Sequence, residues 1–107
     1  MAFNIKQNDT SPSIRATLKD GSNSAVDLTG ASVNFHMVSL EGVTVVDSAA
    51  VIVDPSTSGI VQYNWVAGDT QTAGAYNAEF EVTFSNGKVE TFPNDSYISV
   101  SIRAELA

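Results

Sequence analysis

From Tyr76 to Ser85 the chain reads YNAEFEVTFS, with Tyr76, Ala78, Phe80, Val82 and Phe84 alternating with Asn77, Glu79, Glu81, Thr83 and Ser85. A period of two sends alternate side chains to the same face of an extended strand, so this segment demands a sheet that is dry on one face and wet on the other. A helix would scatter the same apolar residues around its axis. Asn86-Gly87 follows, a pair that supplies both left-handed positions of a two-residue type I′ hairpin turn. That turn sets Phe84 opposite Val89 and Val82 opposite Thr91 on the inner face, and Glu81 opposite Phe92 on the outer face. Phe92 then falls on the wet side. Either the strand bulges or ends before the Phe92-Pro93 step, or Phe92 is an exposed aromatic.

Similar signals recur along the 107 residues. SIRATLKDG sets Ile14, Ala16 and Leu18 against Arg15, Thr17 and Lys19 and stops at Asp20-Gly21. GASVNFHMVS turns Val33, Phe35 and Met37 inward and His36 outward. VTVVD and AVIVD are short apolar runs closed by Asp54-Pro55. GIVQYNWV puts Val61, Tyr63 and Trp65 on one side, and YISVSIRAEL does the same with Ile98, Val100 and Ile102. No stretch holds apolar residues at helical spacing for three turns. Seven or eight short strands with turn residues every 8–12 positions predict an all-β, immunoglobulin-like antiparallel sandwich, with a small barrel as the alternative. Residues 1–12 are expected to form an N-terminal arm or first edge strand, and 13–107 a single sandwich domain. Tyr76, just after Gly74 and at the start of the strongest strand, is the candidate for a tyrosine corner, its hydroxyl turned back to backbone a few residues upstream. Ala78 stands where antibody domains carry a second cysteine.

Composition narrows the chemistry. There is no cysteine, which removes disulfides, thiolate metal sites and cysteine nucleophiles together. Net charge is −7, and the five basic residues, Lys6, Arg15, Lys19, Lys88 and Arg103, are scattered. A nucleic-acid surface needs a basic patch, so nucleic acid is not an expected partner. The longest apolar run, Ala49 to Val53, is far short of the ~20 residues that span a bilayer, so membrane insertion is not expected. The N-terminus lacks the basic-then-apolar pattern of a secretory signal, which predicts a chain that starts in the cytoplasm.

Candidate catalytic groups are few. His36 is the only histidine; a base needs an orienting acid and a nucleophile, and a metal ligand needs companions. It reads as a surface residue. Glu79 and Glu81 share the wet face of one strand. The loops Asp54 to Gly59 and Pro93 to Ser96 carry oxygen donors without the spacing of a calcium loop, and turn formation accounts for both. GASVNF and GDTQTAG lack the spacing of a phosphate-cradling glycine loop. The chain is expected to be no enzyme, with no catalytic, cofactor-binding or metal-binding residue and no cofactor.

Taken in order, FNIKQNDTSPSIRATLKDGSNSAVDLTGASVNFHM, VVDSAAVIVD and the run from Gly59 to Ile102 resemble the N-terminal domain of phage baseplate upper proteins, an immunoglobulin-like domain. The resemblance is strongest at Gln7 to Pro12, Asp27 to Gly30, Gly68 to Tyr76 and Glu90 to Asp95. It departs at Asn8, where that family more often has glycine. The resemblance implies a bacteriophage virion structural protein, tail- or baseplate-associated, assembled in the bacterial cytoplasm and docking on other phage structural proteins of the baseplate, tail or head. A homo-oligomer in the particle is expected, and because edge strands offer unpaired backbone groups to a neighbouring chain, the segment Met1 to Thr10 is the expected inter-subunit contact. In longer relatives C-terminal parts reach receptor-binding proteins, whereas these 107 residues stop just after the last strand. The alternative from a different class is a capsid- or neck-attached decoration or adhesion domain that binds host-surface glycans, with Tyr63, Trp65, Tyr97 or Phe92 as stacking platforms.

Overall fold

The computed structural model describes residues 2–106. Their strands are β1 Ala2–Lys6, β2 Ile14–Thr17, β3 Ser32–Ser39, β4 Thr44–Ala49, β5 Val51–Ile52, β6 Ile60–Tyr63, β7 Gly74–Thr83, β8 Val89–Phe92 and β9 Ile98–Arg103, with one 3-10 turn at Ser56–Ser58. Two sheets face each other: β1-β9-β7-β3-β4, with β8 also on β7, and β2-β6-β5. The fold is the expected all-β sandwich, and its ladders are antiparallel except for the parallel pair β1–β9. β1, set apart in the sequence as an arm or first edge strand, brings the described strands to nine, and the run AVIVD contributes only the two residues of β5.

The alternating residues close on one another as their period requires. Ile14, Ala16, Leu18, Val33, Phe35, Met37, Val61, Ala78, Phe80, Val82, Ile98, Val100 and Ile102 are all buried. Phe35 is the centre of this layer. Its ring stacks on Tyr63 with centroids 4.6 Å apart, meets Trp65 edge-on at 5.7 Å and touches Phe80 at 5.1 Å. Phe35 and Phe80 belong to the larger sheet; Tyr63 closes β6 of the smaller one and Trp65 follows it. The aromatic contacts therefore join the two layers.

The hairpin after β7 differs from the sequence expectation. The Phe84 N–H donates to the Lys88 carbonyl at 2.8 Å and the Gly87 N–H to the Phe84 carbonyl at 2.8 Å, and Gly87 has φ 86° whereas Asn86 is not among the residues with positive φ. This is a three-residue loop, a turn followed by a left-handed glycine in a bulge, and not a type I′ turn. The extra residue moves the register by one. Thr83 now opposes Val89, Val82 opposes Glu90, Glu81 opposes Thr91 and Phe80 opposes Phe92. Val89, expected inside, is exposed, and Phe92 is buried beside Phe80. The bulge that Phe92 requires lies at the turn and not at the Phe92-Pro93 step, because a one-residue slip exchanges the faces of a strand.

β8 and β9 form a single run along the same edge of β7, interrupted once. Phe92 pairs with Phe80 and Ile98 with Ala78, so residues 93–97 loop out opposite Glu79. Proline at position 93 has no N–H to give the ladder, which suits a break there.

Of the two expectations for the N-terminal segment, an arm or a first edge strand, β1 is the edge strand of the larger sheet. Ile5 is buried and pairs with Ile102, and the Phe3 ring lies 5.9 Å from Trp65. Beyond β1, the Gln7 N–H donates to the Arg103 carbonyl at 2.7 Å and the Asn8 N–H to the Thr70 carbonyl at 3.0 Å. The buried Thr70 hydroxyl returns a bond to the Asp9 carbonyl at 2.8 Å. Asn8 has φ 67°, a left-handed conformation that glycine adopts freely and asparagine tolerates. Only the outer edge of β1 is open to a neighbour.

Tyr76 makes the corner bond, its hydroxyl donating to the Thr72 carbonyl at 2.6 Å. At the DLTG turn the Asp27 carboxylate accepts the Thr29 hydroxyl at 2.6 Å and the Thr29 N–H at 3.0 Å. These bonds hold the Asp27 carboxyl below its ordinary range, so they stabilise the turn at neutral pH and weaken as acid protonates it.

Two substitutions separate steric from conformational cost. Gly59 has φ 72°, and a Cβ there would sit 2.8 Å from the Leu18 carbonyl oxygen and 3.0 Å from the Val26 nitrogen, whereas Gly68 has φ 97° and open space. Gly68→Ala is expected to cost about 1–2 kcal/mol from the left-handed backbone alone. Gly59→Ala adds the backbone clash and is expected to lose about 1–3 kcal/mol more. Urea unfolding of both variants checks the order, and Tyr76→Phe should cost about 1 kcal/mol in the same assay.

Candidate functional site

On the outer face of the larger sheet, three strands bring one row of side chains together. His36 on β3 pairs in register with Asp47 on β4 and with Glu79 on β7. Its Nε2 lies 3.3 Å from the Asp47 carboxylate and its Nδ1 lies 3.5 Å from the Glu79 carboxylate. The side chains are 26%, 64% and 29% exposed in the order His36, Asp47, Glu79. Partly solvated pairs of this kind contribute about 0–1 kcal/mol each.

The imidazole separates the carboxylates, one at each ring nitrogen, so the three groups do not converge on a common point as a metal ion would require. Nor does the row contain a nucleophile activated by a base. Ser39 lies on the same groove wall, but its hydroxyl accepts the Val43 N–H at 3.1 Å within the β3–β4 turn. The arrangement binds and positions charge. It does not present a catalytic set.

The row forms the floor of a trough. One part, about 490 Å³, is lined by His36, Val38, Leu40, Thr44, Asp47 and Glu79 among others; a second, about 450 Å³, runs from Glu79 along Pro93, Asn94, Asp95 and Ser96. Tyr97 and Glu79 line both parts. The β3–β4 hairpin makes one wall, with a β-bulge that shifts the register between Met37 and Val38. The 93–97 loop makes the other. Leu40 and Tyr97, which line the trough, are 65% and 57% exposed.

The remaining sequence candidates divide cleanly. Glu81 sits on the same wet face, opposite Asn34 and Thr91. Of the four rings considered as stacking platforms, Tyr63, Trp65 and Phe92 are buried and only Tyr97 is open. The Tyr63 hydroxyl donates to the Asp69 carboxylate at 2.6 Å, and the same oxygen accepts the Val66 N–H at 2.9 Å. Burial, reinforced by that carboxylate, raises the Tyr63 phenol well above its ordinary range, so it stays neutral and structural.

One residue in each of the two loops is tied to its surroundings by hydrogen bonds. The Asn94 amide donates to Glu90 at 3.1 Å and to the Thr91 carbonyl at 2.9 Å. The Ser56 carbonyl accepts the Leu28 N–H at 3.0 Å. Sequence reasoning placed His36 and Glu79 on outward faces but missed Asp47 and Tyr97 as their neighbours. The cross-strand registers that join them carry no local signal.

His36→Ala is expected to shift the unfolding free energy by less than about 1 kcal/mol, measured by urea denaturation, and to leave infectivity intact. The buried Trp65 should emit as a shielded indole, with a spectrum unchanged by soluble glycans.

A family model described as the BppU N-terminal domain, where BppU is the baseplate upper protein, matches residues 2–99. No curated protein matches the chain. Among solved structures, the chain is similar to the crystal structure of CopC from Methylosinus trichosporium OB3b, with 13% identity and a TM-score of 0.53 over 98% of this chain and 86% of that one. At that identity the likeness concerns the fold alone.

Proposed function

This chain belongs to the BppU N-terminal domain family, a family of phage baseplate structural domains, and on that premise we propose that it is an assembly module docking on other virion proteins through sheet rims, loops and the outer sheet face. The carrying observation is the family match across residues 2–99. The strands β1 and β4 end the larger sheet, and edge strands offer unpaired backbone groups to a neighbouring chain. Assembly takes place in the host cytoplasm, a reducing compartment that suits a fold held without cysteine. Several copies sit around the tail axis, since such bodies are built by symmetric repetition.

The alternative as a glycan-binding decoration domain has less support. Glycan recognition by stacking uses open rings, and three of the four candidate rings are spent on the core.

The experiment is localisation on the particle. A C-terminal epitope tag on the full chain, labelled with gold-conjugated antibody on purified virions, is expected to decorate the distal end of the tail. Labelling confined to the head or neck would instead favour the decoration reading, and an unlabelled particle lacking the protein by mass spectrometry would remove both.

A further inference from the structure

We propose that the trough on the outer face of the larger sheet seats an extended, basic segment of a different virion protein, its cationic side chains met by Asp47 on one side of His36 and by Glu79 and Asp95 on the other, beside the Tyr97 ring. This deepens the assembly reading and rests on it.

Charge supports this occupant. The trough contains Asp47, Glu79 and Asp95, and neither of its parts is lined by Lys or Arg. All five basic residues of the chain lie elsewhere in the sequence, at positions 6, 15, 19, 88 and 103. A second copy of the chain, at net charge −7, approaches this face against like charge, which disfavours self-association here.

Geometry sets the size of the guest. From β4 across β3 and β7 to the 93–97 loop there are three strand spacings, roughly 14 Å, which an extended chain crosses in about four or five residues. Along that path a guest meets the apolar rim of Leu40 and Val38, then the carboxylates, then the half-open Tyr97 ring, a surface suited to a cation over an aromatic face. The two carboxylates flank His36 on opposite sides, so a guest that crosses the row meets them one after the other.

The gap beside Glu79 strengthens the assignment. Elsewhere along β7 the neighbouring strand closes on the ladder, but opposite Glu79 the 93–97 segment swings outward and opens the second part of the trough. The loop thus exposes a carboxylate that an unbroken β8–β9 strand would have flanked with ordinary sheet.

The test uses the full chain in the assembled particle. Photo-reactive p-benzoylphenylalanine is incorporated at position Thr44 or Tyr97, inside the trough, and at Lys88 outside it; purified virions are irradiated, digested and analysed by mass spectrometry. The expected result is an adduct from positions 44 and 97 to a segment of another virion protein with Lys or Arg within about five residues of the crosslink. Adducts to a second copy of this chain, to an acidic or uncharged segment or to a glycan would overturn the proposal, as would the absence of adducts at both trough positions. The double variant Asp47→Asn with Glu79→Gln, folded by circular dichroism, should enter particles about tenfold less, the effect of losing roughly 1.4 kcal/mol of docking energy. Unchanged incorporation overturns the trough and leaves the assembly reading standing. Absence of the wild-type chain from purified particles removes the assembly reading itself.

Discussion

The fold depends on aromatic packing across the gap between two sheets. Tyr63, Phe80 and Trp65 lie 4.6–5.7 Å from Phe35, in stacked, tilted and edge-on arrangements that each contribute about 0.5–1.5 kcal/mol beyond the area they bury. With no cysteine available, this contact does what a disulfide does in antibody domains: it fixes the separation and relative position of the layers. Trp65 also receives Phe3 from β1, so the same cluster binds the N-terminal strand. The Tyr63 hydroxyl is satisfied by Asp69, which allows a polar ring to be spent in the core.

Once the inner faces are committed to that layer, function is left to the outside. Every strand that buries one set of side chains presents the other, and on β4, β3 and β7 the presented set is Asp47, His36 and Glu79. The interruption between β8 and β9 turns a flat sheet face into a trough. That the break occurs at Pro93 connects a local property of one residue to the shape of the whole surface. Such a surface is suited to recognising a partner through charge and a few apolar contacts, in keeping with a baseplate structural domain.

Two segments that mark the family resemblance, Gln7 to Pro12 and Gly68 to Tyr76, meet in space through the bonds among Asn8, Asp9 and Thr70. Their sequence character is thereby explained as structural. Asn8 takes a left-handed turn, Thr70 is a buried hydroxyl serving backbone, and Tyr76 closes its own corner on Thr72. Neither segment contributes a side chain to the trough. The N-terminal residues, expected as an arm or a first edge strand, take the edge-strand place in the larger sheet because Ile5 and Phe3 gain more by covering the core than by remaining free.

The sequence by itself determined which side chains go inward, because period-two alternation is a local property that survives any choice of partner: Phe35, Trp65, Phe80 and Ile98 were legible as core, Tyr76 as a corner and His36 as outward. It also excluded thiol chemistry outright. Only the tertiary structure decided register and neighbourhood. Asn86-Gly87 is compatible with a two-residue or a three-residue loop, and the burial of Phe92 against Phe80 selects the longer one by supplying contacts that the shorter register would leave in water. The meeting of Asp47, His36 and Glu79, and the opening beside Glu79, likewise come from pairings between strands remote in the chain. No local pattern encodes which residues such pairings place side by side.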